Sequence, residues 1–222
     1  DHIWGIFSVC SYIRETGDYG FLSEKVPYVD GGEATVCEHL IKGLEFTREH
    51  TGEHDIPLFL HNDWNDSLKN IAIKGKGESS FVFFQAAHAA YELKLLFKHI
   101  GDAEKLSWAE DYYNWCESVY NKLWDGKWFL RGFTDYGEKY GTDEDEFNKI
   151  FLNPQSWAVL SRLPSAEQGN SAFENVKKYL FTDMGVTSHA PASSGIDIPN
   201  KSYFGLKAGV RENGGLFFHA ST

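Results

Sequence analysis

The sequence has few cysteines, no long apolar run and too little basic charge to balance its acidic residues. Its 222 residues include only Cys10, Cys37 and Cys116, whose odd number and wide spacing match neither a disulfide framework nor a metal site. We predict that they are small buried residues and that the protein needs no metal. No segment has the ~20 apolar residues that span a bilayer, and no signal peptide is visible. We therefore expect a cytoplasmic protein.

The acidic charge excludes further classes of partner. The formal net charge is −11, from 32 acidic and 21 basic residues. Such a surface repels phosphodiester backbones and anionic lipids, so neither nucleic acid nor a membrane is an expected partner. Apolar residues make up 42% of the chain, which is enough to fill a sizeable core.

Hydrophobic periodicity predicts a largely helical chain. A short hairpin is predicted at 127–133, after Asp125-Gly126. Helices joined by alternately short and long connections are typical of an all-α (α/α) toroid, whose long loops surround a cleft. A stacked solenoid has the same local pattern, but no fixed-period repeat supports it. The predicted helices occupy residues 3–16, 35–50, 78–100, 103–124, 154–163 and 166–181.

One segment is dense in the groups that sugar chemistry requires. Residues 61–66 combine two carboxylates and an indole with amide side chains in the sequence His-Asn-Asp-Trp-Asn-Asp. Sugars present hydroxyls for hydrogen bonding and C–H faces that stack on aromatic rings, and cleavage of a glycosidic bond needs a carboxylic acid. The same composition is also typical of an ordinary turn. These six residues alone therefore do not distinguish a sugar site from a turn.

Three separated motifs, in order, carry a family resemblance. They are Asp63-Trp64-Asn65-Asp66, then Gly75-Lys76-Gly77-Glu78-Ser79, and then 209–215 (Gly-Val-Arg-Glu-Asn-Gly-Gly) running on to His219. In this combination the chain resembles the cellobiose phosphorylase family of inverting glycoside phosphorylases. The resemblance implies that residues 1–222 are part of a single (α/α)₆ barrel catalytic domain. A β-sandwich, linker helices and the C-terminal end of the family's proteins would lie outside this sequence.

The resemblance also implies roles for individual residues. Asp66 matches the general acid, and Trp64 and Asp63 match positions in the pocket of the sugar that is cleaved; Asp63 could instead cap the turn. Arg211 and Glu212 match contacts to the acceptor sugar. His219 matches a phosphate-binding histidine, although a buried core histidine after an apolar triplet is the alternative.

The implied activity is inverting phosphorolysis of a β-linked glucosyl disaccharide to α-glucose 1-phosphate and a shorter sugar. Inorganic phosphate would be the co-substrate, no cofactor would be required, and the full-length protein would be a homodimer. Two alternatives stay open. One is an inverting glycoside hydrolase, which needs a second carboxylate, for which 143–146 (Asp-Glu-Asp-Glu) is the nearest acidic cluster. The other is a non-catalytic carbohydrate-binding barrel.

Overall fold

Six α-helices dominate the computed structural model, which describes residues 2–69, 71–193 and 203–217. They confirm the predicted, largely helical architecture, and their ends fall within a few residues of the predicted ones. The helices are α1 (Trp4–Thr16), α2 (Val36–Glu49), α3 (Ser80–Ile100), α4 (Ala103–Val119), α5 (Leu152–Ser161) and α6 (Ala166–Leu180).

Local capping explains where several helices begin and end. Gly17 ends α1 in the left-handed conformation, with φ of 70°, and its N–H donates to the Ile13 carbonyl. Thr35 and Glu38 form a reciprocal capping box at the start of α2, which satisfies two N–H groups that the helix leaves without partners. These helix ends are therefore set by sequence-local interactions.

The connections between helices contain more strand than predicted. Eleven short strands form five antiparallel sheets within the described residues, so the all-α description was too narrow. The predicted hairpin at 127–133 lies later in the chain, at 132–140, while the turn after Asp125 is closed by a single bridge between Trp124 and Phe129. The strands are β1 (Lys25–Pro27), β2 (Glu33–Thr35), β3 (Leu68–Lys69), β4 (Glu78–Ser79), β5 (Gly132–Phe133), β6 (Lys139–Tyr140), β7 (Ile150–Phe151), β8 (Phe181–Thr182), β9 (Gly185–Val186), β10 (His189–Ala190) and β11 (Tyr203–Phe204).

The sheet of β4, β5 and β6 fixes the chain at the entrance to α3. Glu78 pairs with Phe133, and Ser79 pairs with Gly132. Gly132 has φ of 152°, and a Cβ atom there would lie 1.9 Å from the Glu78 carbonyl oxygen. A glycine is required because the two backbones approach too closely for any side chain.

The main core surrounds α3, which packs against α1, α4 and α5. Small residues along α3, such as Ala86 and Ala90, are fully buried and let the neighbouring helices approach closely. The three cysteines are free and buried, as predicted, and burial raises the pKa of Cys10 to about 12. None of the described helices is long and apolar enough to cross a membrane.

Candidate active site

The 61–66 loop, which leads from α2 towards α3, is held in place by a buried ion pair. The side chains of Asp63 and Arg131 are 0% and 1% exposed, and Arg131 Nη2 lies 2.6 Å from Asp63 Oδ2. The same oxygen accepts a hydrogen bond from the Ser79 hydroxyl at 2.9 Å, and Oδ1 accepts one from the Asn65 N–H at 3.0 Å. Buried charges are tolerated only with such partners, so Asp63 anchors the loop.

The Arg131 guanidinium completes this anchor from the β5 side. Its central carbon lies 5.0 Å from the ring centroid of Phe59 and 5.7 Å from that of Phe151. Aromatic faces attract a cation through their quadrupole. Arg131 therefore has a carboxylate at one end of its donor fork and aromatic rings nearby, which fix its position.

Asn65 holds the chain that follows Asp66. It is 1% exposed, and its Oδ1 accepts hydrogen bonds from the Ser67 N–H at 3.2 Å, the Ser67 hydroxyl at 3.0 Å and the Leu68 N–H at 3.1 Å. This Asx turn fixes the backbone downstream of Asp66, as Asp63 fixes it upstream. The loop is thus fixed on both sides of the predicted general acid.

Asp66 itself is exposed, unlike its neighbour Asn65. Its Oδ1 lies 3.5 Å from Asn62 Nδ2, the limit for a hydrogen bond. A carboxyl group at the surface of a fixed loop can reach an incoming substrate without local unfolding.

Trp64 lies between two aromatic rings and borders two cavities. Its ring centroid is 6.4 Å from that of Phe81, edge to face, and 6.3 Å from that of Phe217, nearly parallel. Trp4, Trp64 and Phe81 line both cavities. The loop cavity, of about 270 Å³, is bounded by residues 61–64 and α3. The α5 cavity, of about 330 Å³, is bounded by α5 and α6.

Asp66 is not among the described residues that line either cavity. The sequence predicts that Asp66, Trp64 and Asp63 belong to one site. Of these three residues, Trp64 and Asp63 line the loop cavity. Asp66 is an exposed residue of the same loop. Its predicted contact with a sugar therefore stays a prediction.

Arg211 and Glu212 occupy a tight turn that closes on itself. A backbone bridge joins Val210 and Asn213, and the Asn213 Nδ2 donates to the carbonyls of Leu206 and Ser193. Glu212 is 2% exposed; its Oε1 lies 3.0 Å from Arg211 Nη2. Its buried Oε2 has no hydrogen-bond partner within the described part of the chain, so Glu212 keeps capacity to accept another donor.

Phe217 joins this turn to the 61–66 loop. Its ring centroid lies 6.3 Å from that of Trp64, and the Arg211 guanidinium carbon is 5.8 Å from the Phe217 centroid. The structure therefore brings Trp64 and Arg211 to a common neighbour across about 150 residues of sequence. His219, the predicted phosphate ligand, lies outside the described residues.

His189 is buried beside the same turn. Burial lowers its pKa from 6.5 to about 3, although a hydrogen bond with the Asn213 side chain opposes this effect. Its ring also lies 4.7 Å from that of Phe151. The imidazole is consequently neutral at physiological pH. Within residues 2–69, 71–193 and 203–217, no group of three or more His, Cys, Asp or Glu side chains could hold a metal ion.

Two further carboxylates organise the chain around the 61–66 loop. Asp135 accepts hydrogen bonds from the N–H groups of Lys74 at 2.7 Å, Lys76 at 2.9 Å and Gly77 at 3.1 Å. Glu78, 2% exposed, accepts from the His54 N–H at 3.0 Å and lies 2.5 Å from His54 Nδ1. The Gly-Lys-Gly-Glu-Ser motif is therefore a connection between loop and helix that is fixed by hydrogen bonds.

Sequence reasoning missed Arg131, because its partner Asp63 lies 68 residues away. One signal was available: Arg131 is the only charged residue within 128–133, Trp-Phe-Leu-Arg-Gly-Phe. A lone charge in an apolar segment usually has a buried partner. The acidic cluster at 143–146, in contrast, has structural contacts: Asp143 pairs with Lys127, and Asp145 accepts the N–H groups of Gly141 and Thr142.

Comparison with known proteins supports a carbohydrate-active family. The chain is 37% identical over 222 residues to an N,N'-diacetylchitobiose phosphorylase of Vibrio proteolyticus and 34% identical to a solabiose phosphorylase of Paenibacillus borealis. In each case the match covers 99% of this chain, but only 27% and 29% of the relatives. The chain thus spans less than a third of their length.

A solved structure shares the fold at low sequence identity. A GH78 family rhamnosidase of Bacillus sp. GL1 superposes with a TM-score of 0.59 and 12% identity, over 78% of this chain and 16% of the rhamnosidase. The family model for the glycosyl hydrolase 94 superfamily, catalytic domain, matches residues 1–222. Because that match covers the whole chain, the protein belongs to the glycosyl hydrolase 94 superfamily.

Proposed function

We propose that the full-length protein is an inverting glycoside phosphorylase that cleaves a β-linked glucosyl disaccharide with inorganic phosphate. Family membership and two phosphorylase relatives support this activity. The single observation that carries the site is the 61–66 loop, in which Asp63 and Asn65 are buried by structural contacts while Asp66 is exposed. Of the loop's two carboxylates, Asp63 is held in a buried ion pair, whereas Asp66 is exposed.

In the proposed step, hydrogen phosphate dianion attacks the anomeric carbon from one face of the sugar. The carbon–oxygen bond to the acceptor breaks on the other face, and Asp66 gives its proton to the departing oxygen. The α-sugar 1-phosphate then releases the proton that the phosphate carried, and the Asp66 carboxylate takes up a proton before the next cycle. The step needs no cofactor, because phosphate is both anionic and nucleophilic.

Substrate contacts come from the residues around this loop. Trp64 packs against the apolar face of the cleaved sugar, and Asp63 contributes by fixing the loop. Arg211 and Glu212 bind hydroxyls of the acceptor, since Glu212 Oε2 has no partner among residues 2–69, 71–193 and 203–217. His219 binds phosphate. The net charge of −11 argues against nucleic acid or an anionic membrane as a partner and is compatible with a neutral sugar.

We favour phosphorolysis over hydrolysis because two of the four carboxylates in the acidic cluster, Asp143 and Asp145, already make structural contacts. A hydrolase requires a base roughly 6.5–9.5 Å from the acid to activate water. Asp143 pairs with Lys127, which lowers its pKa and keeps it ionised, but this pair lies on the surface. Asp145 is buried by backbone hydrogen bonds. Both are engaged in holding their own loop.

The broader organisation is also part of the proposal. We infer that the chain contributes to an (α/α)₆ barrel, since α3 and α4 are joined by only two residues and α5 and α6 by four, which produces helical hairpins. Three free buried thiols suit a reducing cytoplasm. A homodimer rests on the family resemblance, and the molar mass in solution tests it.

Phosphate dependence tests the activity. The full-length protein is incubated with cellobiose, N,N'-diacetylchitobiose or solabiose, with and without phosphate, and sugar 1-phosphate is measured. We expect phosphate-dependent product from at least one disaccharide, and Asp66→Asn should lower the rate by about 10²–10⁴-fold. Asp30→Asn, in an exposed turn, is the matched control. Phosphate-independent release of monosaccharide would establish the hydrolase, and binding without turnover would establish the non-catalytic alternative.

A further inference from the structure

Gln85 is a buried residue whose amide nitrogen has no hydrogen-bond partner among the described residues. It lies in the second turn of α3 and is 3% exposed, and its Nε2 is buried without a partner in the described part of the chain. The residues around it in the helix, including Phe84 and Ala86, are fully buried and apolar. A buried donor without a partner costs about 1–3 kcal/mol, so the Nε2 group calls for a ligand or a water molecule.

The Gln85 side chain lines the loop cavity together with the 61–66 loop. Asn62 and Asp63 contribute polar groups to the lining, and Trp4 and Trp64 contribute indole rings. At about 270 Å³ the cavity lies just below the ~300 Å³ lower end of small-molecule pockets. It therefore has room for a single ring rather than for a nucleotide.

The chemistry of the lining favours a neutral polyhydroxylated ligand. The described residues that line the loop cavity include neither Lys nor Arg, the side chains that usually bind phosphate. The charge of Asp63 is already matched by Arg131, and burial lowers the pKa of His2, which favours its neutral form. Amides beside indole rings are the combination that binds the hydroxyls and C–H faces of a sugar.

We propose that the loop cavity is a saccharide subsite in which Gln85 hydrogen-bonds a sugar hydroxyl and Trp64 packs against the ring. This inference rests on the proposed function and adds a binding residue to it. The subsite is bounded by residues 61–64 of the loop that carries Asp66. Gln85 contacts the sugar and takes no part in proton transfer.

The test replaces Gln85 with methionine in the full-length protein. Methionine keeps the unbranched shape and the helix propensity of glutamine but removes both hydrogen-bonding atoms. We expect KM for the panel disaccharide to rise roughly fivefold to tenfold, as for the loss of one hydrogen bond, while KM for phosphate stays within about twofold. The melting temperature of Gln85→Met should not fall below that of the wild type. The substitution removes a buried Nε2 group that has no partner among the described residues.

Tyr112→Phe provides the matched control. The Tyr112 hydroxyl is also buried without a partner among the described residues, but Tyr112 lies on α4 and lines neither the loop cavity nor the α5 cavity. Its removal should leave both KM values unchanged. An unchanged KM for disaccharide in Gln85→Met would overturn the subsite.

Calorimetric titration keeps the two hypotheses separate. Each panel disaccharide is titrated into Asp66→Asn, with and without Gln85→Met, so that binding is measured without turnover. Failure of the proposed function would appear as no phosphate-dependent product from the wild type. Failure of the subsite would appear as no binding, or as equal affinity with and without Gln85→Met. A roughly fivefold or greater loss of affinity in Gln85→Met supports the subsite.

Discussion

Removing the charge of Arg131 should destabilise the protein strongly, because its partner Asp63 cannot reach water. The two side chains are 1% and 0% exposed and 2.6 Å apart. Breaking a buried ion pair by removing one partner costs about 3–5 kcal/mol, since the remaining charge stays buried and uncompensated. In Arg131→Met, the Asp63 carboxylate would retain, within the described part of the chain, the Ser79 hydroxyl and the Asn65 N–H as donors.

Thermal unfolding of the full-length protein measures the effect. A loss of 1 kcal/mol lowers the melting temperature by about 2–4 °C in a domain of 150–250 residues, so Arg131→Met should melt about 6–20 °C below the wild type. The double variant Arg131→Met with Asp63→Asn removes both charges and should melt above Arg131→Met. Melting of Arg131→Met within ~2 °C of the wild type, or additive losses in the double variant, would refute the reasoning.

An exposed ion pair supplies the control for this experiment. Lys127 pairs with Asp143, and their side chains are 55% and 37% exposed. Solvent screens such a pair, and many contribute nothing measurable. Lys127→Met should therefore leave the melting temperature close to that of the wild type.

Two other predictions follow from the structure. Gly132→Ala should prevent soluble expression or lower the melting temperature sharply, because the new Cβ atom would lie 1.9 Å from the Glu78 carbonyl oxygen; normal melting would contradict the strand pairing. His189 binds a proton more weakly when folded, with its pKa lowered from 6.5 to about 3, so its contribution to stability is complete above pH 6.5 and is lost as the pH falls towards 3. His189→Gln should show a shallower loss of unfolding free energy across that range in denaturant titrations, and an unchanged slope would contradict this account.

Helix positions were predictable because their signals are local. The Gly17 cap, the Thr35–Glu38 capping box and the periodic apolar face of α4 all act within a few residues. The prediction for α3 began two residues early because Glu78 and Ser79 pair with β5, and that pairing depends on a segment more than 50 residues away. The short sheets escaped prediction for the same reason.

The sequence predicted which residue types form the candidate site, but not which of its two aspartates is buried and which is exposed. The Asp-Trp-Asn-Asp sequence identified the loop, and the structure distinguishes a buried Asp63 from an exposed Asp66. That distinction depends on Arg131, which no local pattern connects to the loop. Gln85 was missed because the sequence does not show whether a polar residue in an apolar helix has hydrogen-bond partners. In the structure, its Nε2 has none among the described residues.

The central claim, that Asp66 gives a proton to the departing oxygen, is tested most directly by a substrate that needs no proton. Fluoride leaves from a β-glucosyl fluoride unprotonated, so Asp66→Asn in the full-length protein should phosphorolyse this substrate within about tenfold of the wild-type rate. The same variant should lose about 10²–10⁴-fold with the disaccharide. Equal losses with both substrates, or no loss with the disaccharide, would contradict the account.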